Sequence, residues 1–566
     1  AKEDTMPNED QTIYFPDLHT TAYDATVGIN MTKADKAKVI DRVEYENLIP
    51  GLTYEVKGTI IDKATEKTVE VNGKDVTASA TFTPDKASGS VDVVFEFDAT
   101  DLAGKTLVAY EDLYIESSLI KQHRYIDDEA ETFYIPKIGT EAKDAENSMH
   151  VGEAKENASI IDTISYENLI AGREYLVVGQ LINKSNETAV LLKDGVEFNS
   201  ETGECVSGPG HYQIMSFTPE KKNGTVDMTF NFDATGLAGS SVVVYEEIYV
   251  KIDNKLYLVA DHKDLSNTSQ TIDYPGVTTT AKNKADDTHY AKPEKITIVD
   301  AVNYTNLEVG KTYTVTGTLM SRKTGKAITK KDKSGKSVPI TSTVTFEAEK
   351  KNGTIDLEFT VDATDLAGDT VVCFERVYWN KIQVASHTDI NDESQSVHIV
   401  SIGTTALDSS TKEHITKNGK TVIVDTVKYE GLIPNTEYVI SGKLMDKATG
   451  KSLKKGTKAS KIKTLVNKVS GKSNEYISEI KFTPTTADGS VDIKFEVDTS
   501  DLSGKTLVCY EAVYENNKKI ASHEDINSEE QAVYVPHIST KLVDKLTKTK
   551  NTVYSNKTVL VDTISY

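Results

Sequence analysis

The segment Thr354–Trp379, TIDLEFTVDATDLAGDTVVCFERVYW, decides how this chain is read. Apolar side chains stand at every second position from Ile355 to Val361, the period of a strand with one face in a core. The stretch DATDLAGD behind it contains Gly368 and leaves room for a helical turn at most. Then comes VVCFE, a short apolar run with Glu375 set into it. An unpaired charge in such a run would cost several kcal/mol, so the carboxylate needs a reason to be there.

The same segment recurs. SVDVVFEFDAT begins at Ser90, TVDMTFNFDAT at Thr225 and SVDIKFEVDTS at Ser490, and the apolar runs LVAYE, VVVYE and LVCYE follow them. Upstream, one phrase is repeated as IDRVEYENL from Ile40, IDTISYENL from Ile161, VDAVNYTNL from Val299 and VDTVKYEGL from Val424, with VDTISY at the end of the sequence. Its Asp falls at 41, 162, 300, 425 and 562, so the period is 121, 138, 125 and 137 residues. That is a domain period and too long for a solenoid repeat. Seven or so alternating strands per unit, with no sustained helical period, predict an all-β chain of tandem β-sandwiches.

Unit ends are marked by YFP, YIP, DYP and YVP, and the next unit opens within a few residues. The expected division is 1–16, the tail of a preceding repeat; 17–136, 137–275, 276–400 and 401–536, four units; and 537–566, the head of a following repeat. On this reading the sequence is a segment of a longer array. No Gly/Ser linker separates the units, which predicts short, stiff joints. Length differences fall in a middle hairpin, at Lys193–Gln213 and Lys451–Ile477.

Composition narrows the function classes. The chain has 566 residues and a formal charge of −23, which disfavours nucleic acid and anionic membranes as partners. No apolar stretch is long enough to span a membrane, and neither end carries a secretion signal. Three scattered cysteines, Cys205, Cys373 and Cys509, make neither a disulfide framework nor a thiolate zinc site. No DxDxDG calcium loop accompanies the acidic runs, so neither a metal nor a cofactor is expected.

Five polar columns remain. A Thr lies in each opening strand (Thr20, Thr140, Thr279, Thr404, Thr540), an Asp in each repeated phrase (Asp41, Asp162, Asp300, Asp425, Asp562) and a Glu in each apolar run (Glu111, Glu246, Glu375, Glu511). A His follows (His123, His262, His387, His523), and eight residues later a Gln (Gln270, Gln395, Gln531). The first unit has Glu131 in this last column, and Tyr125 where the others have Asp264, Asp389 and Asp525.

VCFE at Val372, HTDINDESQSV from His387 and the T-x-A opening strand resemble the VaFE-repeat, or ester-bond, domains of Gram-positive surface adhesins, over essentially the whole chain. The resemblance implies immunoglobulin-like (CnaB-like) sandwiches arranged as a rod. In each, an ester joins the Thr of the first strand to the Gln of the last: Thr140–Gln270, Thr279–Gln395 and Thr404–Gln531. The Asp, Glu and His columns match the residues that assist.

The chemistry also follows from the side chains. A Thr hydroxyl needs a base, which His supplies, and a Gln amide needs an acid and loses ammonia. Two carboxylates in one dry site cannot both ionise, so one stays protonated and can hydrogen-bond the developing oxyanion. Glu131 lacks an amide, so Thr20 and Glu131 are predicted not to be crosslinked, leaving Asp41, Glu111 and His123 as a degenerate set. The expected protein is a self-crosslinked stalk, active only in a single turnover, outside the cell and anchored to a bacterial cell wall. Its partners are neighbouring repeats, with a host protein or glycan met through a tip outside this segment. The rivals are a ligand-binding module, with Lys193–Gln213 as its best candidate, a hydrolase, and a pilin-type shaft with Lys–Asn isopeptide bonds. The last needs Lys and Asn columns that are incomplete here.

Overall fold

The computed structural model describes residues 12–454, 475 and 477–566. The start of the expected preceding tail and most of the loop Lys451–Ile477 lie outside the described residues. Each unit is a sandwich of two antiparallel sheets, and the third shows the plan. Gly276–Asn283, Lys295–Thr305 and Gly353–Asp362 form one sheet, with Lys295–Thr305 in the middle. Thr312–Ser321 and Thr370–Trp379 form the centre of the other. Thr341–Glu347 flanks the first of these, while Ile382–His387 and Ser396–Ile399 share the far edge of the second, one behind the other.

The alternation has its physical basis in the core. Leu357, Phe359 and Val361 are buried while their neighbours Glu358, Thr360 and Asp362 are exposed. Gly317 in the facing strand is a packing requirement: a Cβ there would stand 2.5 Å from the Phe359 ring. The TDL segment, TGL in the second unit, forms a 3-10 turn at Thr100–Leu102, Thr235–Leu237 and Thr364–Leu366. Cys373 and Cys509 are fully buried core residues, and Cys205 is exposed. Trp379 is the last residue of its strand, not beyond it, and stacks at 6.4 Å on Tyr313.

The joints are tight. Only Val400 separates Ser396–Ile399 from the next opening strand, Ser401–Asp408. Beyond its opening strand each of the first three units sends a loop past its own closing strand, and the residue at the tip enters the following unit. Met31 joins the second core, Val151 the third and Tyr290 the fourth, where the Tyr290 and Tyr438 hydroxyls meet at 3.1 Å. Asn168 and Asn306 donate back across the joint to the Gly104 and Ser240 carbonyls at 2.7 and 2.6 Å. The fourth unit has Gly431 in that column because a Cβ would lie 2.8 Å from the Ile399 carbonyl oxygen.

Candidate crosslinking site

The T-x-A motif fixes where the opening strand meets the closing segment. The Ala281 amide donates to the Ser394 carbonyl at 2.8 Å, leaving Thr279 on one side and Gln395 on the other as close neighbours. Ala22, Ala142 and Ala406 make the same bond, to Ala130, Ser269 and Glu530. Only a small residue fits, and Ala281 is fully buried. Asp300 faces inward from the second strand, opposite Ala281. Glu375 lies directly across from His387 in the register of the other sheet, and the Cys373 amide donates to the Gln395 carbonyl. Five elements thus deliver five side chains to one buried point.

The arrangement repeats. Gln270, Gln395 and Gln531 are fully buried, and each donates its side-chain amide to Glu246, Glu375 or Glu511 at 2.6, 2.6 and 2.7 Å. Thr140 and Thr404 hydroxyls lie 3.2 and 3.1 Å from Nδ1 of His262 and His523. In the third unit Thr279 Oγ1 and His387 Nδ1 are buried without a hydrogen-bond partner among the described residues. All four carboxylate pairs are buried to 1 % exposure or less, which decides their charge. Burial first, then the Asp300 charge, pushes the Glu375 carboxyl up to about 10, and Glu511 beside Asp425 is raised likewise. Burial raises Asp162 and Asp300 to about 6, against the pull of the protons they share with Glu246 and Glu375. In the second and third units the pair therefore holds one proton at neutral pH, on the Glu.

That neutral acid lies on the amide nitrogen, whereas the sequence pointed to the carbonyl oxygen. The Gln oxygens have no donor among the described residues. Asp264, Asp389 and Asp525, another recurrent column, accept backbone amides of their own turns at 2.8, 2.9 and 2.9 Å, and Asp264 also accepts the Ser266 hydroxyl at 2.6 Å. Sequence reading missed the residue five after the His. Asp392 Oδ2 lies 3.0 Å from His387 Nε2, and Asn267 Nδ2 lies 3.1 Å from His262 Nε2. The column reads Asp128, Asn267, Asp392, Ser528, and only its fixed distance from the His could have flagged it.

In the first unit Glu131 Oε1 takes both the Thr20 hydroxyl and His123 Nδ1 as partners. Burial pushes the Glu131 carboxyl up to about 8, and Glu111 and Asp41 beside it are raised by burial as well. Ligand atoms of Asp300, Cys373 and Glu375 lie within 4.8 Å of one another, as a metal site would require. Burial keeps the Cys373 thiol protonated, and a neutral thiol beside a neutral acid is a poor ligand set. The loop Lys193–Gln213 folds into a small hairpin, Val196–Phe198 with Cys205–Ser207, apart from these residues.

The chain belongs to the family of T-Q ester bond containing domains, whose model matches residues 16–135, 136–274, 275–399 and 400–535. Among solved structures it is similar to a bacterial adhesin from Mobiluncus mulieris containing intramolecular disulfide, isopeptide and ester bond cross-links. That likeness is 15 % identical, covers 51 % of this chain and 92 % of the adhesin, and has a TM-score of 0.20. An Escherichia coli alpha-2-macroglobulin activated by porcine elastase is 9 % identical over 93 % of this chain and 44 % of its own, with a TM-score of 0.16. The chain matches no curated protein.

Proposed function

We propose that the chain is a stalk segment of a Gram-positive surface adhesin, anchored to the cell wall. Three of its units lock themselves with esters between Thr140 and Gln270, Thr279 and Gln395, and Thr404 and Gln531. The observation that carries this reading is the Gln amide held on a neutral Glu beside a Thr, in one dry site, three times over. The His takes the Thr proton, Oγ1 bonds to the amide carbon, and the carbon–nitrogen bond breaks. Glu246, Glu375 and Glu511 hand a proton to the departing nitrogen and regain one from the His, so ammonia carries off the proton the Thr gave up. Asp162, Asp300 and Asp425 keep those acids protonated beforehand. Burial then shields the ester from water.

Each site turns over once, because nucleophile and electrophile belong to the same domain. Among the described residues no helix is long and apolar enough to cross a membrane. Adhesion itself would belong to a host-binding tip outside this segment. Intact mass tests the proposal. Three ammonias should be missing, and mild base should add one water per ester. An unshifted mass refutes the reading, and the further loss of one water refutes the exclusion of Thr20 and Glu131.

A further inference from the structure

His262 and His387 occupy the same position in their units, and their Nε2 atoms meet opposite partners. Asp392 Oδ2 lies 3.0 Å from His387 Nε2, and its other oxygen accepts the Ser394 amide and hydroxyl at 2.7 and 2.6 Å. Those bonds and His387 outweigh burial and hold the Asp392 carboxyl below its ordinary range, so it is an acceptor and Nε2 carries the hydrogen. Asn267 sits in the same turn, with its Oδ1 accepting the Ser269 amide and hydroxyl at 2.9 and 2.7 Å. Those two donors fix which way the amide points. Its NH2 therefore faces His262 Nε2, which must accept, and the ring proton of a neutral His262 moves to Nδ1.

We propose that Asp392 is a positioning residue that frees His387 Nδ1 to take the Thr279 proton, and that Asn267 sets the opposite tautomer on His262, so that the second unit crosslinks more slowly than the third. This rests on the ester reading above. With Nε2–H held by Asp392, Nδ1 keeps its lone pair, and neither it nor the Thr279 hydroxyl has another hydrogen-bond partner among the described residues. The proton passes to Nδ1, Oγ1 bonds to the Gln395 amide carbon and ammonia leaves. Asp392 also stabilises the imidazolium formed on the way. In the second unit Nδ1–H already points at Thr140, 3.2 Å away, so the ring must give up its bond to Asn267 before it can act as a base.

The test uses the full chain, made by cell-free synthesis, acid-quenched at intervals and digested. The peptide pairs Thr140–Gln270, Thr279–Gln395 and, as an internal reference, Thr404–Gln531 are then quantified. In the wild type the third unit should lead the second by about tenfold or more, a fraction of what a positioned general base contributes. Asp392→Asn should slow the third unit and Asn267→Asp should speed the second, by the same factor, with the reference unchanged. Nitrogen-15 spectra of labelled histidines in a Gln270→Ala, Gln395→Ala chain should show Nδ1–H on His262 and Nε2–H on His387, a signature that a purely structural role would not produce. Failure of either rate to move, or identical tautomers, overturns the proposal. Absence of every crosslinked pair at all times would instead overturn the ester reading beneath it.

Discussion

Glu131→Gln supplies the one group the first unit's site lacks. Thr20 is 4 % exposed, its hydroxyl is 3.3 Å from His123 Nδ1, and Asp41 and Glu111 are fully buried beside it, so nucleophile, base and acid pair are already in place. The new amide would donate to Glu111 as Gln395 does to Glu375. The expected result is one more missing ammonia in the intact mass and a crosslinked peptide joining positions 20 and 131. That ester would close a loop of 111 positions. Loop closure of that size stabilises by about 5 kcal/mol, which for a domain of this length raises its melting temperature by roughly 15–25 °C. Thr20→Ala in the same background should bring the missing ammonias back to three and remove the gain. A folded Glu131→Gln chain that still lacks only three ammonias would refute the argument that the electrophile alone is missing. So would a wild-type chain already joined at Thr20 and Glu131 by loss of water.

The first unit should weaken as pH rises. Its folded state keeps the Glu131 proton up to about pH 8, while the unfolded chain releases it near 4.5, so stability is full below 4.5 and is lost through about 8. The loss should reach at most about 5 kcal/mol, read as a falling first calorimetric transition that Glu131→Gln largely removes. Glu375→Gln keeps the shape but removes the proton donor, and should abolish the third ester alone, leaving two missing ammonias in the intact mass. Tyr290→Ala empties a socket in the fourth core, costing about 3 kcal/mol, and should let calorimetry resolve the third and fourth units as separate transitions.

The fold was legible because alternation and repetition are local properties of the chain. LEFTV and VVCFE read as strands, and they are strands. The membership of the site was legible for the same reason: Thr, Asp, Glu, His and Gln recur at fixed spacing, and the sandwich brings each set together. What spacing cannot carry is direction. That the Glu meets the amide nitrogen, and that His Nε2 meets Asp392 in one unit and Asn267 in another, depends on side-chain orientation across three elements. The joints were hidden for another reason. Met31, Val151 and Tyr290 share a position and a burial but no chemistry, so no residue type betrays that each fills a neighbour's core.

These positions set how the chain bears load. Gln270 and Thr279, like Gln395 and Thr404, stand nine positions apart, and most of the residues between them are already extended in strands. With the proposed esters in place, tension entering at one would reach the next through a short, nearly taut segment, and everything between the first and last strands of a crosslinked unit would be bypassed. Without an ester the first unit would have no such bypass. Pulled from both ends, it should release the 111 positions between Thr20 and Glu131, a contour gain of about 350–400 Å. Single-molecule stretching should then record one such event from the four units, at forces that leave the other three folded. Glu131→Gln should erase it. Four events, or none in the wild type, would mean that the loads do not follow the esters.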